Sequence, residues 1–312
     1  MRTHDFLHLA KLRRRSARLV RCALLSAAIV ALASLPARAA LFDDVVFAHD
    51  FETISGDDIT ALYGPNATKE NMAVSTTDPL AFSNQHLRTP NDEAHANVDT
   101  NTQLTSAMPN LSFSMYYNAQ GDDGADNGSA RFLSTYEGFA TVDPGNLIFQ
   151  TQEATTTTRH LRLSTGAGGA NSFAVNSVAT IPNGDSDWHQ VGFVFEGGLA
   201  SSTLTFYFDG AQLGAPVVLS GITQVDIQDR NWFLAEDAEF GGLTREYFAG
   251  GFYDEAALWT RALSAQEMAN IHDFGLAGTG AVAIVPEPSS FVLLGLGALG
   301  WALCALRKRR RR

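Results

Sequence analysis

Ile181-Pro-Asn-Gly-Asp-Ser-Asp-Trp-His-Gln-Val-Gly-Phe-Val-Phe195, followed by Gly197-Gly198 and then Leu204-Thr-Phe-Tyr-Phe-Asp-Gly-Ala-Gln-Leu-Gly214, decides the fold. The apolar residues fall in short runs at a period of two, which suits a pleated strand and not a helix. Turn formers punctuate the runs: Pro182-Asn-Gly184 before the first, Gly197-Gly198 between them, Asp209-Gly210 within the second. A two-residue Asp-Gly loop is a hairpin signal, because glycine accepts the positive φ such turns require. Outward from there, Leu111-Ser-Phe-Ser-Met-Tyr-Tyr117 alternates in the same way, and Leu147–Gln150, Leu161–Ser164 and Gly251–Trp259 read as further strands. Gly121-Asp-Asp-Gly124, Asp143-Pro-Gly145 and Gly166–Gly169 supply turns between them. From Leu41 to Gly280 one short helix is expected, near Ser264–Asp273, with Ser264 as N-cap and Glu267 completing a capping box. Many short strands and one helix predict an all-β sandwich.

The 312 residues are 45% hydrophobic and 18% charged, a globular composition. The formal net charge of −11 hides an uneven distribution. Residues 40–306 hold 32 acidic and eight basic residues, a net −24, whereas both ends are basic. A surface of that sign repels phosphates and excludes nucleic acid as a partner. It suits divalent cations, or simply solubility. Both cysteines, Cys22 and Cys304, lie in apolar end segments, so the middle contains no disulfide, thiolate nucleophile or cysteine-ligated metal. About 240 residues suffice for a domain held by its core alone.

The N-terminus reads as a signal peptide. A basic stretch ending at Arg21 precedes the apolar run Cys22–Leu35, and Ala37-Arg38-Ala39 places small residues where a peptidase needs them, for a cut between Ala39 and Ala40. A retained membrane helix is the competing reading, but the apolar run falls short of the roughly 20 residues a bilayer demands. At the other end Val285-Pro286-Glu287-Pro288 leads into apolar Ser289–Leu306 and then Arg307–Arg312. Terminal cations of this kind stay on the cytoplasmic face. The acidic middle is therefore expected outside the cytoplasm, anchored in the inner membrane by the tail helix.

On hydropathy alone that tail is an ordinary anchor. The Pro-Glu-Pro lead, glycine-rich helix and arginine cluster together resemble the PEP-CTERM sorting signal, found in Gram-negative bacteria that make extracellular polysaccharide. The resemblance implies recognition by an exosortase-type enzyme in the membrane, removal of the helix, and a cell-surface or extracellular-matrix destination. The expected organisation is a signal peptide at 1–39, a β-sandwich at 40–280 and a sorting signal at 285–312.

The domain's own motifs occur in a telling order. Trp188-His-Gln-Val191 and Tyr207-Phe-Asp-Gly210 are followed by Asp254-Glu-Ala-Ala-Leu-Trp-Thr-Arg-Ala-Leu-Ser-Ala-Gln-Glu267. With Val46-Phe-Ala-His-Asp-Phe51 as an opening strand, they resemble the LamG, or concanavalin A-like, jelly-roll family. The match runs from about Phe42 to Phe274 and is poor over Phe51–Leu111. The family's fold implies a calcium ion between first and last strands, for which Asp50 and Asp254 are the matching positions, with a structural role. Hard cations need such clustered oxygens. Asp122, Asp123 and Asp126 form a second acidic cluster, without EF-hand spacing and better read as a solvated turn.

Trp188 is expected in the core, His189 as an exposed strand residue and Arg261 paired with a carboxylate. Tyr116, Tyr117, Trp232 and Tyr247 could stack on sugars, although core is the better reading for most. Signs of catalysis are missing. Glu236-Asp-Ala-Glu239 lacks the carboxylate spacing of the related β-glucanases, and no H-E-x-x-H, G-x-S-x-G or phosphate loop occurs. No catalytic residue is assigned. A non-catalytic module for carbohydrate, including extracellular polysaccharide, is therefore expected. A structural matrix protein with no small ligand is the alternative, and a glycoside hydrolase a third.

Overall fold

The computed structural model describes residues 43–70, 72–76, 85–89, 95–98, 106–119, 130–135, 146–166, 169–184, 186–227, 232–234 and 251–275. The signal peptide, the sorting tail, the Asp122–Asp126 cluster, Glu236–Glu239 and Tyr247 lie outside these residues.

Within the unit Leu41–Val285, the described strands form two large antiparallel sheets of nine and ten strands and a two-stranded ribbon. At the centre of the first sheet, Asn110–Asn118 lies between Trp188–Glu196 and Gly251–Trp259, and Ser201–Phe208 pairs with the far side of Trp188–Glu196. The first described strand, Val45–His49, pairs with the last, Gly251–Trp259. In the second sheet the order runs from Ala174–Asn176 through Thr158–Thr165, Leu147–Thr155, Arg131–Ser134 and Trp232–Leu234 to His95–Val98 and Ala67–Glu70. All the strands read from alternation are present. The stretch that read poorly supplies short strands to both sheets.

The sheets face each other across an aromatic core. Phe149 of the second sheet meets Phe113 and Phe193 of the first at ring-centroid distances of 5.8 and 5.1 Å. Tyr117 meets Phe132 at 5.2 Å. Each such side chain is worth about 1.5–3 kcal/mol of transfer free energy on burial, so alternate residues of every long strand are committed to this layer.

The other face of the first sheet is covered by the helix Ala265–Phe274. Ala48, Val194, Ala257, Trp259, Leu263, Met268 and Ile271 form the small apolar layer beneath it. Ser264 accepts from Glu267 N and Glu267 Oε2 accepts from Ser264 N, the capping box read from sequence. Arg261 Nη2 reaches Glu267 Oε1 at 2.7 Å, the expected carboxylate partner. Tyr116 Oη, from the middle of the sheet, donates to Ile271 O at 3.1 Å and also to His272 O. Burial, then the negative charges of Glu255, Asp209, Asp273 and Asp254, push this phenol far above its usual range, so it stays a donor.

One irregularity sets the last strand. Asp254 pairs with Tyr116 and Ala257 with Ser114, so three steps along one strand match two along the other. The extra residue is Glu255, buried, with φ +49°. This β-bulge resets the alternation. Tyr253 faces the inner core before it, Ala256 and Leu258 after it, while Ala257 and Trp259 turn outward under the helix.

Candidate functional site

At one mouth of the sandwich the two sheets part around a shallow concavity that encloses about 20 Å³ and opens to solvent. The first sheet contributes Tyr117, His189, Val191 and Phe208; the second contributes Thr151 and Arg159, with Pro182, Asn183 and Gly184 at the rim. The geometry follows from the pleat. His189 has the same parity as Val191, Phe193 and Phe195, so it points between the sheets, whereas Trp188 points out. The expectation for both residues is therefore corrected. His189 is inward and ordered, and Trp188 is half-buried on the helix side, 5.2 Å edge-on from the His86 ring.

His189 is held on two sides. Its ring stacks on Phe208 at 4.6 Å, and Nδ1 lies 2.8 Å from Asp209 Oδ2. A carboxylate only accepts, so Nδ1 is the donor in this pair. Asp209 is fixed in turn by the hairpin read from sequence: φ is +49° at Asp209 and +71° at Gly210. Gln190 N donates to Asp209 Oδ1 at 3.0 Å, and Gly210 N to Gln190 Oε1 at 2.8 Å. From the opposite sheet Arg159, 5% exposed, donates through Nε to Asn183 Oδ1 at 2.5 Å. Asn183 is pinned by donating to Thr156 O at 3.2 Å. The mouth thus presents an aromatic wall, a guanidinium, an imidazole, an amide and a hydroxyl. Among the described residues that line it, none is Asp or Glu.

The two carboxylates expected to hold calcium leave adjacent strands at the same end of the first sheet. Pairing runs to His49 opposite Ala256, with Asp50 next on one strand and Glu255 and Asp254 next on the other. Asp254 is fully buried and its Oδ1 accepts from Glu255 N at 2.8 Å. Asp50 Oδ1 accepts from Glu52 N at 3.2 Å. Burial pushes the Asp50 carboxyl above its usual range, partly offset by that bond. Each carboxylate is by its chemistry a hard oxygen donor. Among the described residues no group of three or more His, Cys, Asp or Glu could hold a metal, so carbonyls would have to complete the shell.

Tyr116, Tyr117 and Trp232, considered as sugar-stacking rings, are buried; Phe208 and His189 are the rings the mouth exposes instead. Phe208 gave no signal beyond its place before the Asp-Gly turn.

Two face-to-face antiparallel sheets, first strand paired to last and a helix packed on one outer face, define a jelly-roll sandwich. The chain belongs to the concanavalin A-like lectin/glucanases superfamily, whose family model matches residues 90–269. Residues 285–311, including Val285, Pro286, Glu287 and Pro288, match the PEP-CTERM protein-sorting motif, which marks an exported, membrane-sorted protein. No curated protein matches the chain. Similar solved structures include domain 4 of AbnA, a GH43 extracellular arabinanase from Geobacillus stearothermophilus, in complex with arabinotriose: 13% identity over 73% of this chain and 98% of that one, TM-score 0.49. The botulinum neurotoxin serotype D binding domain has 11% identity over 74% and 50%, TM-score 0.47. A native heptameric SAP-like pentraxin from Limulus polyphemus has 15% identity over 55% and 73%, TM-score 0.38.

Proposed function

We propose that this chain is a cell-surface or extracellular-matrix protein that binds carbohydrate without cleaving it, after delivery by an exosortase-type enzyme. The mouth between the sheets carries the reading. A ring wall for a sugar face, beside convergent donors and acceptors for its hydroxyls, is the composition of a small-ligand site. Cleavage of a glycosidic bond needs two carboxyl groups on either side of it, roughly 5–9.5 Å apart. Among the described residues that line the mouth there is no Asp or Glu, and Asp209 reaches it through His189.

Glycan-array binding by the purified protein tests this, followed by calorimetry on the best hit. Phe208→Ala and Arg159→Gln should each weaken binding at least tenfold, and reducing-end release should stay at background. An array with no hit would favour the alternative, a matrix protein without a small ligand. Sugar release abolished by a single carboxylate substitution would make it a hydrolase. Sorting is tested by mass spectrometry of the exported form, which should lack Trp301. In the same reading a structural calcium sits at Asp50 and Asp254.

A further inference from the structure

Asparagine followed by glycine is among the least durable pairs in a polypeptide. The glycine nitrogen can close on the asparagine side-chain amide in a five-membered ring, and glycine has no Cβ to obstruct the closure. The sequence holds two such pairs, Asn127-Gly128 and Asn183-Gly184, and the second stands at the rim of the mouth.

The structure holds the electrophile of this second pair and leaves its nucleophile unengaged. Asn183 N donates to Thr157 O at 3.1 Å and Nδ2 to Thr156 O at 3.2 Å. The amide is thereby fixed to the tip of the hairpin that joins Leu147–Thr155 to Thr158–Thr165. Arg159 Nε donates to Oδ1 at 2.5 Å. A cation on that oxygen draws electrons from Cγ and stabilises the negative charge the oxygen takes when a nucleophile adds. Gly184 is exposed with φ +70°, and among the described residues its N–H has no hydrogen-bond partner.

We propose that Asn183 is a self-modification site, at which the Gly184 nitrogen displaces the side-chain amide with Arg159 as electrophilic partner. Gly184 N bonds to Asn183 Cγ and gives its proton to water. The Cγ–Nδ2 bond breaks, and Nδ2 takes up a proton and leaves as ammonia. Water then opens the cyclic imide. Attack at Cγ leaves an aspartate in place; attack at the main-chain carbonyl carbon leaves isoaspartate, with the chain routed through the side chain. In both, an amide becomes a carboxylate, water is consumed and ammonia released.

The consequence follows from hydrogen-bond inventory. The amide accepts from Arg159 and donates to Thr156 O, whereas a carboxylate only accepts. The bond to Arg159 becomes an ion pair, and the Thr156 carbonyl is left facing a second acceptor, which loosens the rim from the hairpin. On the carbohydrate-binding reading, on which this last step rests, the guanidinium is drawn away from a ligand and sugar binds more weakly.

Peptide mapping tests the proposal. The full chain, in detergent and mildly alkaline buffer made with heavy-oxygen water, is sampled over days by mass spectrometry with isoaspartate methyltransferase labelling. Asn183 should convert to aspartate and isoaspartate carrying heavy oxygen, while Asn171 and Asn176, each followed by serine, stay amides. Arg159→Gln should slow the conversion about tenfold, less than the loss when an oxyanion donor is removed from a dry site. Asn183→Gln should abolish it. Equal melting temperatures would show that the variants fold. An intact Asn183, or conversion undiminished in Arg159→Gln, would overturn the proposal. No sugar enters these measurements. Asn183→Asp should weaken binding of a sugar that the unmodified protein holds, read by calorimetry, so failure of the carbohydrate reading and failure of the modification are seen separately.

Discussion

Gly192 lies so close beneath Met268 that a Cβ at position 192 would sit 2.6 Å from Met268 Cε, and 2.6 Å from Phe113 O as well. The absence of a side chain in the middle of a central strand is what lets the helix settle onto the sheet. Gly192→Ala should cost about 1–3 kcal/mol, the usual range for overpacking, read by urea unfolding. Adding Met268→Ala should restore only part, since the Phe113 carbonyl cannot move aside. Full restoration would show that the backbone contact is slack.

His49 is buried in the inner core, between Phe47 and Phe51, with ring centroids 5.8 and 6.0 Å away. Burial lowers its pKa from 6.5 to about 4. The native state therefore prefers the neutral ring, and protons favour the unfolded chain. The contribution to stability is flat above pH 6.5, falls as pH drops from 6.5 to about 4, and levels off below. The loss is about 3 kcal/mol from this group alone. His49→Phe should flatten the stability profile over that window, and an unchanged profile would contradict the assignment.

The helix that covers the first sheet depends on its start. Burial alone would raise the Glu267 carboxyl, but hydrogen bonds from Arg261 and Ser264 outweigh it and hold the group below its usual range. Ser264→Ala should cost about 1 kcal/mol and speed hydrogen exchange in the helix. Exchange that rises only elsewhere would show that the cap is idle.

Calcium at Asp50 and Asp254 should make the melting temperature sensitive to EDTA. Asp254→Asn should lower the melting temperature and abolish the EDTA effect. Equal melts with and without EDTA, with no ion found by dialysis, would end the proposal.

The long strands were legible because alternation over eight or nine residues cannot be mistaken for a helical period, as in Asn110–Asn118 and Trp188–Glu196. The same parity places His189 inward with Val191 and Phe193, so its position was available in the sequence and lost only to the bulk of neighbouring Trp188. The strands between Phe51 and Leu111 were not legible. Ile54–Ser55 and Asp58–Ile59 have two residues each, too few for any period. The contact of Arg159 with Asn183 was hidden for another reason: it joins residues 24 positions apart. Glu255 left a trace, the break in alternation at Tyr253-Asp-Glu-Ala256, which becomes a bulge only once its partner strand is known.

The strand Thr158–Thr165, with Arg159 turned in and Arg162 turned out, also constrains how this protein can change. Substitutions on one face of these eight residues leave the side chains of the other face in place, so the two faces can change independently. A single-residue insertion or deletion there has no such freedom. It would put Leu161 and Leu163 in water and His160 and Arg162 in the aromatic core, and both surfaces would vanish with the fold.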